Sequence, residues 1–197
     1  MNYTEETLRL LAQECVVGDF HPFDLGEIDT VEQYIKKIVK KLQQNPRLIV
    51  EADFDYYGSG FASYINIHIS KKDGSDSTVS TKNRAITTST KGLLLYICNL
   101  APVWCYGSSS WSKTTEDGAF KSSSGYFLTS KKINTLDNDA LWHDEVETIK
   151  TLMDDMYGYV LLTTKEAQKP ISSDIKIATV FSDPPFEVFD CFFHWED

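Results

Sequence analysis

Positive charge is in short supply in this sequence: 19 Lys and Arg stand against 29 Asp and Glu, a formal net charge of −10 over 197 residues. That balance argues against nonspecific binding to nucleic acid or to anionic membranes, which would repel the chain. Long apolar runs are missing too. The run Leu93 to Cys98 is far shorter than a membrane-spanning helix requires. The opening residues, MNYTEETLRL, carry neither the basic nor the apolar region of a secretory leader. Only four cysteines occur (Cys15, Cys98, Cys105, Cys191), widely spaced and without a CxxC pair. Three of them sit in apolar runs, where cysteine acts as a small buried hydrophobe, and a reduced, cytoplasmic setting is expected. Familiar catalytic spacings are lacking as well. His143 with Asp144 and Glu145 is not HExxH, Ser108 to Ser110 form no GxSxG elbow, and no phosphate-cradling loop pattern is present.

What is present is a folded composition, with 42% hydrophobic and 13% aromatic residues. The length suits one domain, residues 1–197. The stretch Gly92 to Trp111 organises the rest. Leu93 to Cys98 reads as a strand buried on both faces, and Val103 to Tyr106 as its neighbour across a turn through Pro102.

Around this core the pattern is mixed. Thr4 is placed to cap a first helix whose Leu8, Leu11, Ala12 and Cys15 share one face. A second helix carries the stripe Val31, Tyr34, Ile35, Ile38, Val39 and Leu42, with capping-box spacing at Thr30 and Gln33. Leu48 to Asp55 and Phe61 to Ser70 alternate as strands and are expected to pair as a hairpin across DYYGSG. Thr78 to Thr90 reads as one polar strand, Ser112 to Ser124 as an exposed loop, and Gly125 to Thr129 as a short strand. Asn138 or Asp139 caps a third helix, and Thr163 with Glu166 has capping-box spacing. Ile177 to Phe181 reads as a strand, and Asp183-Pro184 as the start of a terminal aromatic helix. The expected fold class is α+β: one domain with a mainly antiparallel central sheet and N-terminal and C-terminal helices packed on it.

Two constellations bear on function. Glu51, Asp53 and Asp55 alternate along one strand and are expected to share a polar face with His68, a set able to hold a hard divalent metal or act as acid and base. One strand spaces such carboxylates about 6 to 7 Å apart, which leaves the set incomplete on its own. The charge is also uneven. Lys and Arg concentrate between residues 34 and 136, and the two ends are acidic, so converging ends would make an acidic face.

The terminal phrase FEVFDCFFHWED (Phe186 to Asp197) resembles the closing signature of a type of small bacterial protein, and LAPVWCYG and YVLLTTKEAQKP are compatible with it. In style the chain is similar to immunity proteins of bacterial polymorphic-toxin systems. That resemblance implies a non-catalytic α+β module without a cofactor, which binds and neutralises a cognate protein toxin and contacts neither nucleic acid nor membrane. If so, its interface should combine carboxylates with aromatics, and Asp53, Asp55, Tyr56 and Tyr57 around the hairpin turn are the candidates. The alternatives are a metal-dependent enzyme built on Glu51, Asp53, Asp55 and His68, or a scaffold protein.

Overall fold

A computed structural model describes residues 3–58 and 60–196, without the Tyr57 side chain. Its strands are β1 (Leu48–Asp53), β2 (Phe61–Ala62), β3 (Tyr64–Lys71), β4 (Ser77–Lys82), β5 (Ala85–Cys98), β6 (Val103–Glu116), β7 (Ala119–Gly125), β8 (Val160–Leu161) and β9 (Trp195–Glu196). Its helices are α1 (Glu5–Ala12), α2 (Ile28–Leu42), α3 (Asp139–Thr151), α4 (Thr164–Ala167) and α5 (Val188–Phe192). The apolar run and its neighbour do form the central hairpin, β5 against β6, extending from Ile97↔Trp104 to Ala85↔Glu116. β3 and then β1 add to β5, while β7 adds to the far half of β6 and β8 lies parallel to its near end. The sheet is mostly antiparallel, with helices contributed by both ends of the chain. Among the described residues, no helix is long and apolar enough to cross a membrane.

Alternation along β5 divides the core in two. Leu93, Leu95 and Ile97 pack with Val31, Ile35 and Ile38 of α2 and with Trp142, Val146 and Ile149 of α3. Leu94, Tyr96 and Cys98 point the other way, into a cluster with Leu8 and Leu11 of α1 and with Val188, Phe189 and Phe192 of α5. The first is the α2–α3 face of the sheet and the second its α1–α5 face. The chain ends do converge. Arg9 pairs with Asp174, and the Tyr3 ring lies 4.7 Å from Phe192. Glu14 sits close enough to Glu196 that burial, and then the neighbouring carboxylate, push its carboxyl up.

Several expected elements differ from the structure. α2 begins at Ile28 with Glu27 at the cap, and Thr30 lies inside it, donating its hydroxyl to Glu27 at 3.0 Å. Residues 78–90 are two strands, β4 and the start of β5, folded back at Asn83, where φ is 58°. Residues 112–124 are not a loop. They complete β6, turn at Asp117 and Gly118, and return as β7. Residues 126–129 and 177–181, expected as strand, are irregular apart from Gly125, which closes β7. The last helix does not start at Asp183-Pro184. Pro185 disfavours helical geometry in the residue before it, and α5 begins only after Glu187, whose backbone N–H donates to the Asp190 carboxylate at 2.7 Å.

The sheet therefore has two parts. In its near half β3, β5 and β6 are covered on both faces, whereas β1 buries only the α2–α3 face. Its far half is a four-stranded arm of β4, the start of β5, the end of β6, and β7. Every residue of β7 is exposed, and β4 is exposed from Thr78 onward.

Candidate functional site

The hairpin expected to carry the functional carboxylates is present, with Glu51 opposite His68 and Asp53 opposite Asn66. Those two carboxylates and the histidine share the α1–α5 face, while Asp55 lies beyond the strand end and is exposed. Asp53 accepts the backbone N–H of Asp55 at 2.8 Å, so its carboxylate shapes the turn. Tyr56 does not project outward. Its φ is 48°, its hydroxyl donates to Glu32, and its ring lies 5.9 Å from Phe61. Burial, then the Glu32 carboxylate, push its phenol well above the ordinary value. The Tyr57 side chain lies outside the described residues. His68 rests edge-on against Trp111 with ring centroids 4.6 Å apart, and burial lowers its pKa despite Glu51 and Asp53 nearby. Trp111 reaches it across Gly92, where a Cβ would come within 2.3 Å of the indole. Among the described residues, no three His, Cys, Asp or Glu side chains converge as a metal-binding group.

A concavity lies away from these residues. On the α2–α3 face, where the arm leaves the body, lies a groove of about 750 Å³. Its floor is a row of hydroxyls that crosses four strands in register: Thr78 on β4, Ser89 on β5, Ser112 on β6 and Ser124 on β7. Ser112 and Ser124 are hydrogen-bonded at 2.9 Å. One strand step toward the body, Lys91 and Ser110 face each other, and Ser108 follows.

Local bonding fixes the walls. Ser108 Oγ accepts the N–H of Asp137 at 2.8 Å, and the Ser108 N–H donates to the Thr135 carbonyl at 3.0 Å, which ties the segment before α3 to β6. Asn138 then caps α3 by accepting the N–H of Leu141 at 3.2 Å, as its residue type and position predict. On the other side, Asp76 accepts the N–H of Lys71 at 2.8 Å and the Ser77 hydroxyl at 2.9 Å. Leu141 and Trp142 supply an apolar strip between these walls.

Period-two geometry sorts the three consecutive serines. Ser108 and Ser110 share the groove face, and Ser109 points oppositely and donates to the Tyr126 carbonyl at 2.9 Å. A hydroxyl both donates and accepts and rotates to suit its partner. The groove is therefore built for multidentate hydrogen bonding with a polar surface, with Lys91 and the start of α3 as its positive elements and Asp76 and Asp137 as its negative ones. The sequence did not point to the row Thr78, Ser89, Ser112 and Ser124, and Ser108 to Ser110 drew notice only as a run that forms no GxSxG elbow. The Asp117-Gly118 pair was the available signal, since that dipeptide between extended segments marks a two-residue hairpin. No family model, curated protein or solved structure matches the chain.

Proposed function

We propose that this protein is a non-catalytic binding module of the immunity-protein type, which holds a polar loop of a protein partner in the hydroxyl-lined groove. The observation that carries the reading is the in-register row Thr78, Ser89, Ser112 and Ser124, framed by Lys91, Asp137 and Asn138. Short Ser and Thr side chains lose little conformational entropy when bound, so the hydrogen bonds they form are weakly offset by side-chain ordering. A cytoplasmic setting fits the reading, because Cys15, Cys98, Cys105 and Cys191 are all free thiols.

The test begins with the genes beside this one: a toxin-like product encoded there is co-expressed with the chain, followed by pull-down, calorimetry and growth rescue. Filling the groove with Ser110→Arg and Ser112→Arg should weaken binding by about 2 kcal/mol or more, the scale of a central contact, with the fold intact. Unchanged affinity in the folded variant moves the interface elsewhere. The surface then to test is the hairpin turn with Asp53, Asp55, Tyr56 and Tyr57. Failure of the wild type to form a complex or rescue growth removes the immunity reading itself.

A further inference from the structure

Acidic residues outnumber basic ones by 29 to 19, and many cations are matched at once. Arg9, Arg47, Lys71, Arg84, Lys121 and Lys150 each pair with a carboxylate. Four lysines on α2 are not: Lys36, Lys37, Lys40 and Lys41 pair with no carboxylate among the described residues. The outer side of that helix borders a hollow of about 320 Å³. Gln33, Lys36, Lys37, Lys40 and Gln43 form one side of it, and Phe54, just after β1, forms the other. No carboxylate lines it among the described residues. The Lys36 ammonium lies 5.0 Å from the centre of the Phe54 ring, and the Gln43 amide donates to the Val50 carbonyl at 3.2 Å. Those two contacts tie the helix side of the hollow to the end of β1. Lysines in the last turn answer the negative end of the helix dipole, which accounts for Lys40 and Lys41. Lys36 and Lys37 stand a turn earlier, where that effect has faded, so their charge is left over at the surface.

We propose that this hollow is a second docking site, which takes a short run of Asp or Glu on a protein partner. Charge complementarity carries the argument: the rim offers ammonium and amide donors, an aromatic ring, and no competing carboxylate. Size agrees with it. Gln33 to Gln43 spans about 15 Å of helix, the length of about four or five residues of extended chain. A nucleic acid would overrun so short a patch. It would meet Asp29 and Glu32 on the same helix and Asp53 and Asp55 on either side of Phe54. A single small anion would engage one exposed lysine at a time, whereas successive carboxylates engage Lys36, Lys37 and Lys40 together. The overall charge of −10 repels such a segment only at long range. That repulsion is screened beyond about 8 Å at physiological salt, so the lysines decide at contact. The hollow shares no lining residue with the hydroxyl groove, and the proposal does not depend on the immunity reading.

The experiment uses the purified full chain, labelled with nitrogen-15, and a synthetic peptide of six glutamates. Its titration should produce saturable amide shifts confined to residues 33–43 and Phe54, with affinity falling about tenfold between about 20 and 200 mM salt. Lys37→Glu combined with Lys40→Glu should weaken binding by about tenfold or more. Lys165→Glu combined with Lys169→Glu changes the net charge equally and should leave binding unchanged. All four positions are exposed, and circular dichroism checks the fold. The absence of saturable shifts, shifts centred elsewhere, or equal binding by a peptide of six glutamines overturns the proposal. So does equal loss in the two double variants, which would reduce the effect to overall charge. Tighter binding of hexathymidylate at the same residues overturns it in favour of a nucleic acid. Concentration-dependent shifts there without any peptide overturn it in favour of the acidic ends of a second copy.

Discussion

Lys71 and Glu145 meet at 2.7 Å where the end of β3 passes α3, their side chains only 10 and 4% exposed. The Lys71 ammonium also lies 4.6 Å from the centre of the Trp142 ring. Burial pushes the Glu145 carboxyl up, but the hydrogen bond and charge of Lys71, with Arg47 behind it, outweigh burial and hold it below the ordinary range. A pair in this position is worth little against two well-packed apolar residues, yet breaking it leaves a buried charge without compensation. Lys71→Met should therefore cost about 3 to 5 kcal/mol in urea unfolding. Lys71→Met combined with Glu145→Leu should recover most of that. A single variant as stable as the wild type would mean that Glu145 turns out to water once its partner is gone. The sequence did not point to this pair: Lys71 ends a strand, Glu145 drew notice only within a His-Asp-Glu run that fits no zinc motif, and only the packed sheet brings them together.

Among the elements, the arm behaves differently from the body. Neither core cluster includes any residue of β4 or β7. Its strands are held by ladder hydrogen bonds and hydroxyl pairs such as Thr87 with Thr114 at 2.9 Å. Segments with few buried apolar contacts open at low free energy without global unfolding. The tip depends on Asp117 and Gly118, at φ 50° and 81°. A β-branched residue in left-handed geometry costs about 1 to 2 kcal/mol. Gly118→Val should thus speed amide exchange in β6 beyond Ser112 and in β7, while β3 and the Leu93 to Cys98 segment keep their protection. Equal loss of protection in both halves would show that the sheet opens as one unit. The same feature explains what the sequence conveyed. β1, with one buried face, and β3, whose isoleucines alternate with polar residues, announced themselves by alternation, and β5 by its apolar run. Ser112 to Ser124 has no buried face to impose a period of two, so it read as a loop, and the groove hydroxyls were hidden with it. The cap at Thr30 misled as well: its spacing was right, but the helix begins one turn earlier, with Glu27 at the cap position.

For the molecule as a whole, the decisive question is what closes the α1–α5 face, and the answer is the end of the chain. Phe186, Val188, Phe189, Phe192 and Phe193 are all at most 7% exposed. The single Ser63 hydroxyl proton is shared between the Phe192 and His194 carbonyls, at 2.9 and 3.2 Å, and Ser63 Oγ accepts the His194 N–H at 2.9 Å, which locks α5 to the start of β3. The aromatic density of FEVFDCFFHWED already pointed to docking, because such a tail left in solvent would be a large adhesive patch. The structure adds that it docks on Tyr64 and Tyr96, whose rings lie 6.0 and 5.7 Å from Phe193. Burying each such side chain contributes about 1.5 to 3 kcal/mol, so the five together contribute about 7 to 15 kcal/mol. That equals the whole stability of an ordinary domain, about 5 to 15 kcal/mol. Deleting residues 186–197 should then abolish the cooperative thermal transition and expose the face carrying Leu94 and Tyr96. The milder Phe192→Ala should keep the fold and lower its stability by about 3 to 5 kcal/mol. Circular dichroism melts of both proteins make the check. A truncated chain that still melts in one sharp step would show that the sheet with α2 and α3 is a self-sufficient domain, and that the tail is a separable docking segment.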